Sequence, residues 1–188
     1  MKTLKDKDCC DWALKSEIEL AYHDKEWGKP VFDDQTLFEF MVLEYMQAGL
    51  SWVTILKKRE TMRSAFDNFD SHKIANYSQD KIEVLMENPG LIRNRLKLNA
   101  LVTNANAFLK IQGEYGNFSE YLWGFVDHKV LNNEWHDMSE VPAHSELSDQ
   151  ISKDLKKRGF KFLGTTVVYA YLQAVGIIND HLSYCKQK

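Results

Sequence analysis

The stretch SELSDQISKDLKKRGFKFLGTTVVYAYLQAVG, Ser145–Gly176, carries the architecture. It reads as a helix, a break holding Gly159 and Gly164, and a second helix from about Thr165 that stops at Gly176. A two-glycine hairpin leading into a helix N-terminus can present several backbone N–H groups to one phosphate. The neighbouring Lys153, Lys156, Lys157, Arg158 and Lys161 would add screened attraction, so the segment is a candidate for reading a nucleic-acid backbone rather than base sequence. A plain helical corner has the same pattern, and spacing leaves both readings open.

Outward from this segment the periodicity stays helical. DDQTLFEFMVLEYMQAGL, Asp33–Leu50, repeats apolar residues at Leu37, Phe38, Met41, Val42 and Tyr45, with Asp33 or Asp34 available as a cap. SWVTILKKRETMRSAF follows as a helix from near Ser51, and Gly49 supplies the corner between the two. SQDKIEVLMENPGLIRNRLKLNALVTNANAFLKI predicts helix, turn, helix, with Ser78 as cap, Asn88-Pro89-Gly90 as the break and a second arm of about twenty residues. FSEYLWGFV is a shorter helix. LNNEWHDMSEVPAHS, Leu131–Ser145, has no clear period and is expected to be an irregular connector. With no convincing β-type alternation and no repeat, the expected fold is all-α.

The chain has 188 residues, 44% of them hydrophobic, enough to bury a sizeable core. Residues 1–188 are expected to form one compact unit. It is also readable as two helical lobes, with the termini (1–30 and 165–188) packed together and the middle (31–164) holding the pocket helices and the hairpin. No apolar run reaches membrane-spanning length and the opening MKTLKDKDCC lacks the apolar core of a signal peptide, so a cytoplasmic protein is expected. A net charge of −3 offers no global attraction for a polyanion; any nucleic-acid site must come from local clusters, including Lys57-Lys58-Arg59 and Arg93/Arg95/Lys97.

The three cysteines lie at the two ends: Cys9 and Cys10 near the start, Cys185 in NDHLSYC near the finish. In a reducing compartment they argue against disulfides and leave metal binding or inert thiols. Cys9 or Cys10, His23, His181 and Cys185 supply two sulfur and two nitrogen donors, the ligand types of a closed tetrahedral zinc site but not its usual short spacing. If His181 and Cys185 lay in a helix they would share one face. Chance occurrence, with a loose terminal thiol, accounts for the same residues.

Large rings gather in the first third: Trp12, Tyr22, Trp27 and Trp52. Each alone is most simply core. Glu44 is harder to place, because it falls on or near the inward face of its helix, and a buried carboxylate needs a partner. A flat cationic ligand would satisfy the acid while the rings stack on its faces; a positively charged nucleobase meets those demands.

Taken together, AYHDKEWGKP (Ala21–Pro30), LFEFMVLEYMQAGLSWVTILKKRE (Leu37–Glu60), GLIRNRLKLNA (Gly90–Ala100) and LKKRGFKFLGTTVVYAYLQAVGIINDH (Leu155–His181) resemble the DNA-3-methyladenine glycosylase I family, of the helix-hairpin-helix glycosylase superfamily. The resemblance runs from about Cys10 to Cys185. It implies a monofunctional base-excision repair enzyme, expected to be a monomer, that hydrolyses the N-glycosidic bond of 3-methyladenine in alkylated double-stranded DNA without lyase activity. It implies a structural Zn2+ on Cys10, His23, His181 and Cys185. It places the base-recognition and catalytic acid at Glu44, stacking rings at Tyr22 and Trp52, and pocket walls at Trp12 and Trp27. DNA contacts fall on Gly49 and Leu50, set against the gap in the duplex, and on the hairpin residues Gly159, Lys161, Gly164 and Thr165. The subfamily is described as lacking the catalytic aspartate used elsewhere in the superfamily; Asp180 lies near the corresponding region and reads either as such a group or as one that orients His181. Two departures are Glu19, where close relatives carry a pocket tyrosine, and the doubled Cys9-Cys10. The competing reading is a non-enzymatic helix-hairpin-helix DNA-binding protein with structural zinc, which would keep the hairpin but not require Glu44 amid aromatics. A catalytic zinc hydrolase would need an open coordination position that four protein ligands close.

Overall fold

The computed structural model describes residues 8–188. The opening residues 1–7, read above for a leader, lie outside the described residues. Helix α1 spans Glu17–Lys25, α2 Asp34–Gln47, α3 Trp52–Ala65, α4 Ser71–Ile74, α5 Gln79–Glu87, α6 Arg95–Tyr115, α7 Phe118–Gly124, α8 Glu146–Lys157 and α9 Thr165–Ala174. Caps set several of these boundaries. Asp33, Ser78, Asn94, Asn117 and Ser145 each accept a backbone N–H from the first turn of the helix that follows, worth about 1 kcal/mol apiece. The Asn88-Pro89-Gly90 break falls between α5 and α6 as expected, and α6 runs for 21 residues.

Helix α2 is the central rod, but not in the way its periodicity suggests. Instead of one apolar face, every residue from Leu37 to Met46 is buried, Glu39 and Glu44 included. Its neighbours are α3, α6, α7 and α9, which surround it as core helices are surrounded. Asp34 locks its start by accepting from the backbone N–H groups of Phe118 (2.7 Å) and Ser119 (2.9 Å) at the head of α7. Glu39 is satisfied by the buried Arg59 of α3, whose guanidinium donates to Glu39 (2.7 Å) and to Glu26 just past α1 (2.7 Å) and lies over the Phe40 ring. This network fixes α1, α2 and α3 against one another. Those three helices, with the corner before α3, carry Tyr22, Glu44 and Trp52.

The connector after α7 is more ordered than its lack of period implies. Strand β1, Leu131–Asn132, pairs in parallel with β2, Ile178–Asn179, and a further bridge joins Trp135 to Leu182. Two-residue strands carry no alternation that a sequence could display, and the remainder of the described chain has no other named strand. This ribbon holds the segment after α9 in place. The ends then meet: Lys186 N–H donates to the carbonyl of Asp8 (3.0 Å) and Tyr184 Oη to Asp11 (3.1 Å). His181 and Cys185 lie in irregular backbone on either side of a turn rather than in a helix, so tertiary contacts, not a shared helical face, bring them together.

Candidate active site

A cavity of about 330 Å³ opens between α1, the end of α2, the start of α3, α9 and the connector. Trp12, Tyr22, Trp27, Glu44 and Trp52 all line it. Tyr22 and Trp52 form one wall, ring centroids 5.2 Å apart and tilted 57°; Trp12 and Trp27 meet edge to face at 5.1 Å. Glu44 projects into this aromatic box from the last turn of α2. It is 6% exposed, and among the described residues nothing donates a hydrogen bond to its carboxylate. Burial in these apolar surroundings pushes its pKa up to about 8. The Tyr22 hydroxyl and the Trp52 Nε1–H are also buried without a partner. An acceptor and two donors thus converge unsatisfied on one apolar space. Folding leaves such groups unpaired at a cost of about 1–3 kcal/mol each, which a bound polar ring can recover.

The far wall was invisible to the sequence reading. Thr166, Tyr169, Ala170 and Gln173 present one face of α9, and Met138, Val141, Pro142 and Ala143 come from the connector. The polar pair Tyr169/Gln173 at i, i+4 in an otherwise apolar helix was the available signal for α9; the aperiodic connector gave none. Asp180 explains the pair. Its carboxylate accepts from Tyr169 Oη (2.6 Å), Gln173 Nε2 (2.7 Å), Trp135 Nε1 (2.8 Å) and Asn133 Nδ2 (2.8 Å). The expectation that Asp180 orients His181 is therefore corrected: the partner of His181 Nδ1 is Asn179 Oδ1 at 2.9 Å. Four donors hold Asp180 as a brace between α9 and the connector. Glu19 does not line this cavity, because its carboxylate is taken by the capping Ser16 hydroxyl (2.7 Å).

At the joined termini, donor atoms of Cys10, His23 and Cys185 lie within 4.8 Å of one another, all buried. His23 Nε2 faces Cys185 Sγ at 3.6 Å, while its Nδ1–H donates to Asp24 at 2.9 Å. Cys9 lies on that opposite, Nδ1 side of the ring, so it does not share the Nε2 side with Cys185. The His181 ring packs at 5.1 Å from His23, and its Nε2 is buried with no partner among the described residues. The two sulfurs accept backbone N–H groups, Cys10 from Leu182 (3.4 Å) and Cys185 from Gln187 (3.5 Å). Gly28 closes the cluster: at φ +76° it lies so near His181 that a Cβ would come within 2.5 Å of the ring.

Beside the cavity mouth, a second hollow of about 200 Å³ is lined by Glu44, Gln47, Gly49, Leu50 and Thr166 among others. The corner after α2 and the start of α9 therefore border one opening. Gly49 needs its glycine for φ +81°, and Leu50 is 39% exposed. In the hairpin Gly159 takes φ +95°, whereas Gly164 has ordinary backbone angles and open space where a Cβ would stand. Nothing among the described residues requires a glycine at 164. Lys161 is exposed, but Arg158 is committed to Asp154, Glu114 and Tyr115, and Arg95 to Glu83.

The fold and this pocket define the chain's class: it belongs to the methyladenine glycosylase family, whose model matches residues 12–188. It is 50% identical over 179 residues to a DNA-3-methyladenine glycosylase of Haemophilus influenzae, covering 95% of this chain and 97% of that one. Identity to DNA-3-methyladenine glycosylase 1 of Escherichia coli is 44% over 176 residues, 94% of each chain. A solved 3-methyladenine DNA glycosylase I variant, in complex with 3-methyladenine, superposes with a TM-score of 0.93 at 39% identity over 97% of both chains.

Proposed function

We propose that this chain excises 3-methyladenine from alkylated double-stranded DNA by hydrolysing the N-glycosidic bond. The observation that carries the reading is Glu44, a buried carboxylate without a partner among the described residues, set in a box of aromatic rings within a chain of this family. The target nucleotide must leave the duplex, at a cost of a few kcal/mol in unstacking and unpairing. Stacking against Tyr22 and Trp52 offsets part of that cost. Methylation at N3 makes the adenine cationic and a good leaving group, so the site needs less catalytic power than one that removes a neutral purine. Glu44 accepts from the amino edge of the base and supplies the counter-charge. Among the described residues the cavity lining holds no lysine that could form a Schiff base.

Gly49 and Leu50 are assigned to the gap left in the duplex, and Gly159, Lys161, Gly164 and Thr165 to its phosphates. An unhindered Gly164 at the head of α9 suits close approach of a backbone phosphate. Cys10, His23, His181 and Cys185 are assigned to one structural Zn2+. The fit rests on the orphaned Nε2 of His181, on Nδ1 contacts that leave both Nε2 atoms free to ligate, and on the N–H groups directed at both sulfurs. Four protein ligands leave no open position, so the ion would tie the termini rather than take part in hydrolysis.

Single-turnover release of 3-methyladenine from alkylated duplex DNA tests the reading. No release by folded wild-type protein that still binds duplex would establish the non-enzymatic DNA-binding alternative instead.

A further inference from the structure

Lys97 and Asn104 stand two turns apart on one face of α6, both buried, and each reaches out of the helix to hold a different loop. The Lys97 ammonium donates to the carbonyls of Met46 (2.9 Å) and Ala48 (2.7 Å). The first belongs to the last turn of α2 and the second to the cap residue just past it, and the negative end of that helix dipole serves as counter-charge to the cation. No carboxylate forms an ion pair with Lys97 among the described residues. Ala48 directly precedes Gly49, so the ammonium sets the direction in which the chain leaves α2 for the Gly49–Leu50 corner. Asn104 does the same for the hairpin: its side-chain amide donates to the carbonyl of Lys161 (3.1 Å) and accepts the Lys161 N–H (2.8 Å), matching a peptide group on both edges.

We propose that Lys97 and Asn104 are positioning residues that make α6 a ruler, fixing the distance between the Gly49–Leu50 corner and the 159–164 hairpin so that both engage one duplex at once. The inference rests on the proposed function, since it requires both loops to meet DNA. Neither residue lines the base pocket. The two therefore separate into different steps: Lys97 governs how the corner acts at the displaced nucleotide, and Asn104 governs how firmly the hairpin grips phosphates.

The test compares Lys97→Met and Asn104→Leu in three measurements: single-turnover excision at saturating alkylated duplex, affinity for unmodified duplex, and affinity for free 3-methyladenine. Lys97→Met is expected to lower the saturated excision rate about 10-fold or more while free-base affinity stays within about 2-fold. Asn104→Leu is expected to weaken duplex binding about 10-fold with the saturated rate within about 3-fold of wild type. Lys97→Arg, which can still donate to both carbonyls, should recover most of the rate. Where either variant fails to fold, Lys97→Gln and Asn104→Asp take its place with the same criteria. Wild-type values from folded variants overturn the proposal, as does a loss of free-base affinity in proportion to every other loss, which would mean general loosening. An inactive wild-type protein would instead remove the functional reading on which the ruler depends, so the two failures are distinguishable.

Discussion

His23 Nε2 stands 3.6 Å from Cys185 Sγ, although 162 positions of sequence separate them. A histidine already held through Nδ1 by Asp24 thereby points its second nitrogen at the C-terminal thiol and at Cys10. If these groups grip a metal, protein purified without added zinc should contain close to one equivalent by elemental analysis. Metal that binds only the folded state stabilises it, so Cys185→Ala should lower the melting temperature by about 10 °C or more. Cys10→Ala should lose the metal and Cys9→Ala should keep it; the reverse outcome would shift the ligand by one residue. Fully folded, metal-free wild-type protein would rule the site out.

Glu44→Gln keeps the side chain's shape, removes its charge and sets a donor where the amino edge of the base needs an acceptor. Single-turnover excision should fall about 10-fold to 100-fold, roughly 1.4 to 2.7 kcal/mol, with affinity for ordinary duplex hardly changed. The loss stays modest because the cationic base leaves readily and the rings still stack. Trp52→Ala should impair excision too, through lost stacking. Unchanged excision together with unchanged free-base affinity in Glu44→Gln would remove the assigned role.

The same carboxyl makes a pH prediction of definite sign. Its folded pKa is pushed up to about 8 from an ordinary 4.5 by burial, so its contribution to stability is fully present below pH 4.5 and is lost as pH rises through 8. Between those values the unfolded chain has released a proton that the folded one keeps. Wild-type stability, compared with Glu44→Gln at each pH, should decline by up to ~1.4 kcal/mol per unit across that window. A cationic base favours the ionised form, so excision should rise toward pH 8 and base uptake should release a proton. Parallel stability curves for the two proteins would show that Glu44 does not titrate this way.

Lys161 is exposed at the hairpin while its backbone is clamped by Asn104, so its ammonium can be removed with little disturbance to the fold. Lys161→Gln should weaken binding to methylated and unmethylated duplex alike and reduce the slope of log K against log salt by about 1. An unchanged slope would move the phosphate contact elsewhere. Arg93 is then the better candidate, because Arg95 is already paired with Glu83.

Helix periods, the Asn88-Pro89-Gly90 break, the capping residues and the order of the family motifs are local properties, and the amino-acid sequence determined them by itself. Tyr22, Glu44 and Trp52 were legible because an acid amid rings is chemically unusual whatever the fold. Tertiary structure alone decided that α2 is enclosed on all sides, that Asn179 rather than Asp180 holds His181, and that the aperiodic connector builds a pocket wall. It alone decided, too, that Arg158 is spent on Tyr115, Glu114 and Asp154 instead of facing outward. The physical reason is one of range. Capping and amphipathic spacing act within a turn or two of chain, whereas the partner of a buried polar group is chosen by packing between segments far apart in sequence, and no local pattern records that choice.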